Sequence, residues 1–332
     1  MSKAITPILL LLFTLLSHTT PSLSERCHPE DKKALLQIKE ELNNPTLLSS
    51  WKPDADCCHL SWYGVGCYAD HNRVDSLTIQ HSDDIVAQFP PSIGNLPYLE
   101  SLYISSFPYL TGPIPQSVSK LTNLKFVTIT FTNVSGPVPN FWPSSKGLVN
   151  LDLSFNSFSG TLPPSLNKFL NLSWIYFNDN KLTGPIPYSY GFFNDKNPPD
   201  LYFSNNQLSG SLPLSLARLN SSLFDFSNNR FKGDASMLFG SNKATTSIDL
   251  SRNMFSFDFG KVELSKTMIS LYVNNNQIYG NLPVGIENIF SLNVSYNRLC
   301  GEIPKGGYMK RFHVSTFFHN KCLCGSPLPP CK

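Results

Sequence analysis

The feature that most constrains this chain is a phrase of about ten residues that returns at intervals of about 24 residues. Clear copies occupy 151–160, 175–184, 201–210, 224–233, 271–280 and 292–301. Weaker copies occupy 248–257, which lacks the glycine, 127–136, where Thr132 replaces an asparagine, 102–112, which is one residue longer, and 74–82. A chain built this way cannot bury one repeat alone. It must stack repeats and share a continuous core.

Each position of the phrase has a physical task. Leu151 and Leu153 alternate along a short strand and point inward, so Asp152 between them points out. Asn156 follows where the strand ends, and its amide can pair backbone groups that the bend leaves without partners. With Asn180, Asn206, Asn229, Asn253, Asn276 and Asn297 it forms a predicted asparagine ladder. Phe158 fills the core, and Gly160 takes a backbone conformation that other residues resist. The Gly-Pro-Ile-Pro stretches at 112–115 and 184–187 are extended because proline fixes φ. They predict a short second strand there, followed by a 3₁₀ or helical turn on the convex side. Together these features predict a leucine-rich-repeat solenoid of about ten repeats.

A solenoid needs closed ends. Residues 25–73 read as the N-terminal cap, 74–304 as the repeats and 305–332 as the C-terminal cap. In the first cap, 29–42 reads as an amphipathic helix. Glu30 and Asp31 suit its dipole, Leu35, Ile38 and Leu42 form its apolar stripe, and Trp51 and Trp62 pack beside it. The eight cysteines sit only at the ends: Cys27, Cys57, Cys58 and Cys67, then Cys300, Cys322, Cys324 and Cys331. Two disulfide clusters follow for an extracellular chain, with three pairings open in each. The Cys322-Leu323-Cys324 spacing lacks the paired Cys/His pattern of a zinc site, so no metal is assigned and no cofactor is called for.

Residues 1–24 have the order of a secretory signal: Lys3, an apolar run from Ala4 to Leu16, then small and polar residues. No later run is long enough to predict a membrane anchor. Charged residues are 15% of the chain and the formal charge is +3, which gives no reason to expect a nucleic-acid surface. Sequons at Asn133, Asn171, Asn220 and Asn293 fit the secreted compartment.

The chain resembles the plant polygalacturonase-inhibiting proteins. The matching segments are 27–39, 133–136, 233–240, 257–262 and 320–331, and the resemblance spans residues 25–332. It implies the disulfides Cys27–Cys57, Cys58–Cys67, Cys300–Cys322 and Cys324–Cys331. It implies a secreted, monomeric protein of the plant cell wall that inhibits microbial or insect endopolygalacturonases through its concave strands, with wall pectin as a further candidate partner. Small or apolar Leu223, Thr246 and Ser247 stand where family members often carry longer polar side chains, and 194–199 lengthens one convex turn. These departures bear on which enzyme is the target and not on the fold.

The predicted partner-binding residues are Tyr103, Asp152, Trp174, Tyr176, Asp179, Asp200, Tyr202, Asp225, Asp249, Arg252 and Tyr272. Exposed Tyr and Trp are enriched in binding hot spots. Asp225 and Asp249 fall at equivalent positions of adjacent strands, the spacing of a retaining glycosidase pair, but an open sheet supplies no cleft to separate their pKa values. The reading is therefore binding and not catalysis. Two alternatives of the same fold are a soluble co-receptor-like signalling module and an ice-binding protein. Ice would favour a flat, regular threonine or asparagine array, unlike this irregular aromatic face. If the terminal cysteines are all oxidised, thiol titration of the denatured, unreduced protein should find almost none free. Two or more reactive thiols would overturn the disulfide framework.

Overall fold

A computed structural model describes residues 26–140 and 147–332. The predicted signal segment, 1–24, lies outside the described residues. The architecture is a leucine-rich-repeat solenoid with a disulfide-bonded cap at each end. Ten parallel strands form its main sheet: Val74–Gln80, Ser101–Gly112, Phe126–Pro137, Asn150–Asp152, Trp174–Tyr176, Asp200–Tyr202, Leu223–Asp225, Ser247–Asp249, Ser270–Tyr272 and Ser291–Asn293. The register is unbroken through the middle position, so Asp152, Tyr176, Tyr202, Asp225, Asp249 and Tyr272 lie in one column.

The asparagine ladder holds each strand to its bend. Asn206 Nδ2 donates to the carbonyls of Phe177 at 2.9 Å, Phe203 at 3.2 Å and Ser204 at 3.1 Å, while its Oδ1 accepts from Leu182 N at 2.9 Å. Both Phe177 and Leu182 belong to the preceding repeat, so one amide pairs two coils of backbone. The ladder also runs one step further than the repeats. Asn320, inside the C-terminal cap, donates to Val294 O and Phe317 O and accepts from Leu299 N. The copies with Phe107 and Thr132 at that place form 12-residue strands, yet Ser106 and Phe131 keep the positive φ of the bend. At Thr132 the next rung serves the coil: Asn156 Oδ1 accepts from Thr132 N and its Nδ2 donates to Ile129 O at 2.6 Å, while Thr132 Oγ1 accepts from Val134 N.

The second strand lies earlier than the proline pattern predicts. It covers Ser157–Gly160, Lys181–Gly184, Gln207–Gly210 and Arg230–Gly233, ending at the glycine instead of beginning there. The reason is local. Proline has no N–H to give a ladder, and the glycines sit at φ 77–87°, which turns the chain out of the strand. The proline three residues after the glycine then stands just ahead of a 3₁₀ helix, as Pro163 does before Pro164–Lys168 and Pro187 before Tyr188–Phe192. Between the layers runs one apolar core, with a stack of Phe177, Phe203 and Phe226 at centroid separations of 5.9 and 5.7 Å.

The first cap is a helix, Pro29–Glu41, whose buried Leu35 and Ile38 cover the end of that core. Trp51 stacks on Trp62 at 5.7 Å. Asp31 does not act chiefly through the helix dipole. It is fully buried, takes a bidentate pair of bonds from Arg73 at 2.7 and 2.9 Å, and accepts from Val74 N at 2.9 Å. It therefore pins the helix to the first strand of the repeats. The disulfides are Cys27–Cys57 and Cys58–Cys67 in this cap, and Cys300–Cys322 and Cys324–Cys331 in the other. Among the described residues no helix is long and apolar enough to cross a membrane.

Removing one rung should be costly in the centre of the stack. Asn206→Ala or Asn229→Ala leaves several backbone groups unpaired and should lower unfolding free energy by ~1–3 kcal/mol. Unchanged melting of both variants would show that the amide does not carry the bend.

Candidate functional site on the concave face

The face of the main sheet turned away from the 3₁₀ helices carries three lines of side chains. The middle column reads Tyr103, Thr128, Asp152, Tyr176, Tyr202, Asp225, Asp249, Tyr272 and Asn293, each paired in register with the next. A first column precedes it, with Phe126, Asn150, Trp174, Asp200 and Leu223. A third line follows one residue before each ladder asparagine. It holds Phe131, Phe155, Asp179, Asn205, Asn228, Arg252, Asn275 and Tyr296, all at positive φ between 50° and 57°.

Seven of the predicted residues thus fall in one column: Tyr103, Asp152, Tyr176, Tyr202, Asp225, Asp249 and Tyr272. Trp174 and Asp200 are register partners beside it. Asp179 and Arg252 lie on the third line, separated by Asn205 and Asn228. The centre of the face is the Tyr176–Tyr202 pair, stacked at 4.3 Å and 21°, with Trp174 41% exposed alongside. Burial pushes both tyrosine hydroxyls up, and the nearby Asp200 adds to that in each. Both rings are therefore neutral at neutral pH.

Sequence reasoning did not single out His81 and Ser106, which precede this line, or Tyr296 and His319, which end it and stack at 4.3 Å. The available signal was their place immediately before the bend. The structure also shows that several carboxylates are engaged within the fold. Asp200 accepts from Ser222 Oγ at 2.7 Å, Ser221 Oγ at 3.0 Å and Leu223 N at 2.9 Å, tying its strand to the next repeat. Asp225 accepts from Ser227 N and Oγ, Asp152 from Ser154 N and Oγ, and Asp249 from Ser251 N. Asn293 fills the same role toward Ser295, so this sequon lies half-buried on the face, whereas Asn133, Asn171 and Asn220 are exposed.

Fold and face together define a capped leucine-rich-repeat protein with an open, aromatic and acidic strand surface. Profiles described as Leucine rich repeat N-terminal domain and Leucine Rich Repeat match residues 28–68 and residues 147–169 and 200–219. The chain is 50% identical to Polygalacturonase inhibitor 2 of Arabidopsis thaliana, over all of both chains. It is 49% identical to Polygalacturonase inhibitor of Pyrus communis, over 98% of this chain and 97% of that one. A crystal structure described as a plant ice-binding protein matches with TM-score 0.89 at 44% identity, covering 92% of this chain and 99% of that one. The chain belongs to the polygalacturonase inhibitor family.

The carboxylates of Asp152 and Asp249 have pKa values raised by burial, against which the serine hydrogen bonds work, and Asp225 beside Asp249 raises it further. A raised folded-state pKa means the folded chain holds its proton more tightly than the unfolded chain. These groups therefore cost stability above the raised pKa, and the cost disappears as pH falls below the unfolded value. Asparagine keeps the acceptor oxygen, as Asn293 shows. Asp152→Asn with Asp249→Asn should melt higher than wild type at neutral pH and equally at acid pH. A lower neutral-pH melting temperature would contradict the burial cost.

Proposed function

We propose that this chain is a secreted, monomeric protein of the plant cell wall that inhibits endopolygalacturonases of microbes or insects. It docks its concave face beside the substrate cleft and blocks the polymer's entry. The full-length match to polygalacturonase inhibitors carries this reading. The contact residues proposed are Tyr103, Asp152, Trp174, Tyr176, Asp179, Asp200, Tyr202, Asp225, Asp249, Arg252 and Tyr272, centred on the Tyr176–Tyr202 stack. Stacked neutral rings supply rigid apolar area at low entropic cost, with a hydroxyl at each tip. The carboxylates around them suit an enzyme that grips an anionic polymer with basic residues. Pectin itself, being anionic, finds Arg252 as the single cation along the three lines.

A second reading is favoured by the similarity to the plant ice-binding protein. The hydroxyl line that follows the middle column is Ser154, Ser204, Ser227, Ser251 and Ser295, of which only Ser227 is half-exposed. The first column carries a shorter in-register run, Ser247, Ser270 and Ser291, which stops at Leu223 and the aromatic centre of the face.

Release of reducing ends from polygalacturonate by a panel of endopolygalacturonases tests the proposal. Wild type should inhibit at least one. Tyr176→Ala with Tyr202→Ala should weaken inhibition by about 30-fold or more, chiefly through faster dissociation. Asp225→Asn with Asp249→Asn should slow association and flatten its salt dependence. Inhibition of none at micromolar concentration would sink the inhibitor reading in favour of the signalling module, or of ice binding if ice recrystallisation stops. Inhibition that survives both folded variants would move the docking face elsewhere.

A further inference from the structure

Two of the four sequons share a longer pattern, with phenylalanine two residues before the asparagine: Phe131-Thr132-Asn133-Val134-Ser135 and Phe169-Leu170-Asn171-Leu172-Ser173. The structure separates them. Phe169 is 5% exposed and belongs to the core, whereas Phe131 is 54% exposed on the third line of the concave face. One ring face of Phe131 is covered by Phe155, at 4.3 Å and 9°. On the other side the line continues with Ser106, whose hydroxymethyl cannot cover a ring. The stack therefore stops at Phe131 and leaves its other ring face open.

Phe131 borders an open recess whose lining includes Asp83, Ser106, Pro108, Asn133 and Phe155. Asn133 is exposed at its wall, and its Nδ2 donates to Pro108 O at 2.7 Å. An N-linked asparagine keeps one of its two amide hydrogens, so the nitrogen remains a donor after glycosylation. The polar lining, from Ser106, the Pro108 carbonyl and Asp83, faces the hydroxyl and acetamide groups a sugar presents at its rim.

We propose that Asn133 carries an N-linked glycan whose first N-acetylglucosamine sits in this recess and lies against Phe131 as the next ring of the Phe131–Phe155 stack. The C–H face of a pyranose carries weak positive charge and meets the negative face of the aromatic ring. The same packing removes from water an apolar face that the protein leaves open. The sugar becomes an ordered part of the flank of the concave surface, closing the N-terminal end of the third line to a protein partner. Asn171 gains no such support, because its phenylalanine is inside. The proposal rests on passage of the chain through the secretory pathway and is independent of inhibition.

The test uses full-length protein secreted from plant cells behind a borrowed signal, with labelled high-mannose glycans trimmed enzymatically to single N-acetylglucosamines. Glycopeptide mass spectrometry should find Asn133 occupied. In NMR spectra the sugar at Asn133 should show upfield ring-current shifts and cross-peaks to Phe131, while the sugar at Asn171 shows neither. Ser135→Ala removes the sequon but keeps Asn133 and its bond to Pro108. It should lower Tm by about 2 °C when Phe131 is present and leave Tm unchanged in the Phe131→Ser background. An unoccupied Asn133, or a sugar there without contact to Phe131, would overturn the proposal whatever the melting data show.

Discussion

The structure depends on one hydrogen-bonding problem solved repeatedly. Every repeat must turn sharply at the end of its inward-facing strand, and the turn leaves backbone groups at the edge of a dry core. A buried asparagine amide answers with donors to carbonyls of its own and the preceding coil and an acceptor for one N–H of the preceding coil. No other side chain carries both functions at that length. Because each amide spans two coils, the ladder couples neighbours and makes the stack cooperative along its length. Where Thr132 takes the asparagine's place, its hydroxyl accepts from Val134 N, and the amide of Asn156 serves Thr132 N and Ile129 O. The rule is thus satisfaction of the backbone, whichever side chain supplies it.

A coupled stack has two open ends, and they are closed differently. The N-terminal cap is a separate small structure, a helix tied down by the buried Asp31–Arg73 pair and by two disulfides. Breaking that pair would strand a charge in the core, so the attachment is strong only while both partners are present. The C-terminal cap instead imitates a repeat. Asn320 supplies a further rung, and Cys322–Cys324 pairs in parallel with the preceding strand. The first end resists fraying by covering the core, and the second by continuing the ladder and then locking it covalently.

Once the core and ladder are fixed, the outward strand positions are free to vary, and here they are shared between structure and surface. The aspartates of the middle column cap the serines two residues on while standing on the concave face. Burial raises the pKa values of Asp152 and Asp249, and the hydrogen bonds from Ser154 and Ser251 work against that rise. The tyrosines have no such duty. Their stacking is a property of the face alone.

The sequence by itself determined the repeat, the ladder from Asn156 to Asn297, the inward and outward positions of each strand and the existence of both caps. These follow from periodicity, from backbone pairing and from cysteine placement, all of which are local or regular in the chain. It read the strand-face residues as one surface because equivalent positions of a repeat must align. It misplaced the second strand, because proline marks an extended backbone but does not show whether a partner strand can accept it. It could not assign Asp31 to Arg73, 42 positions away, or distinguish Asp200 the tether from Asp200 the surface charge. Those outcomes depend on which coil lies against which, and only the stacked structure decides that.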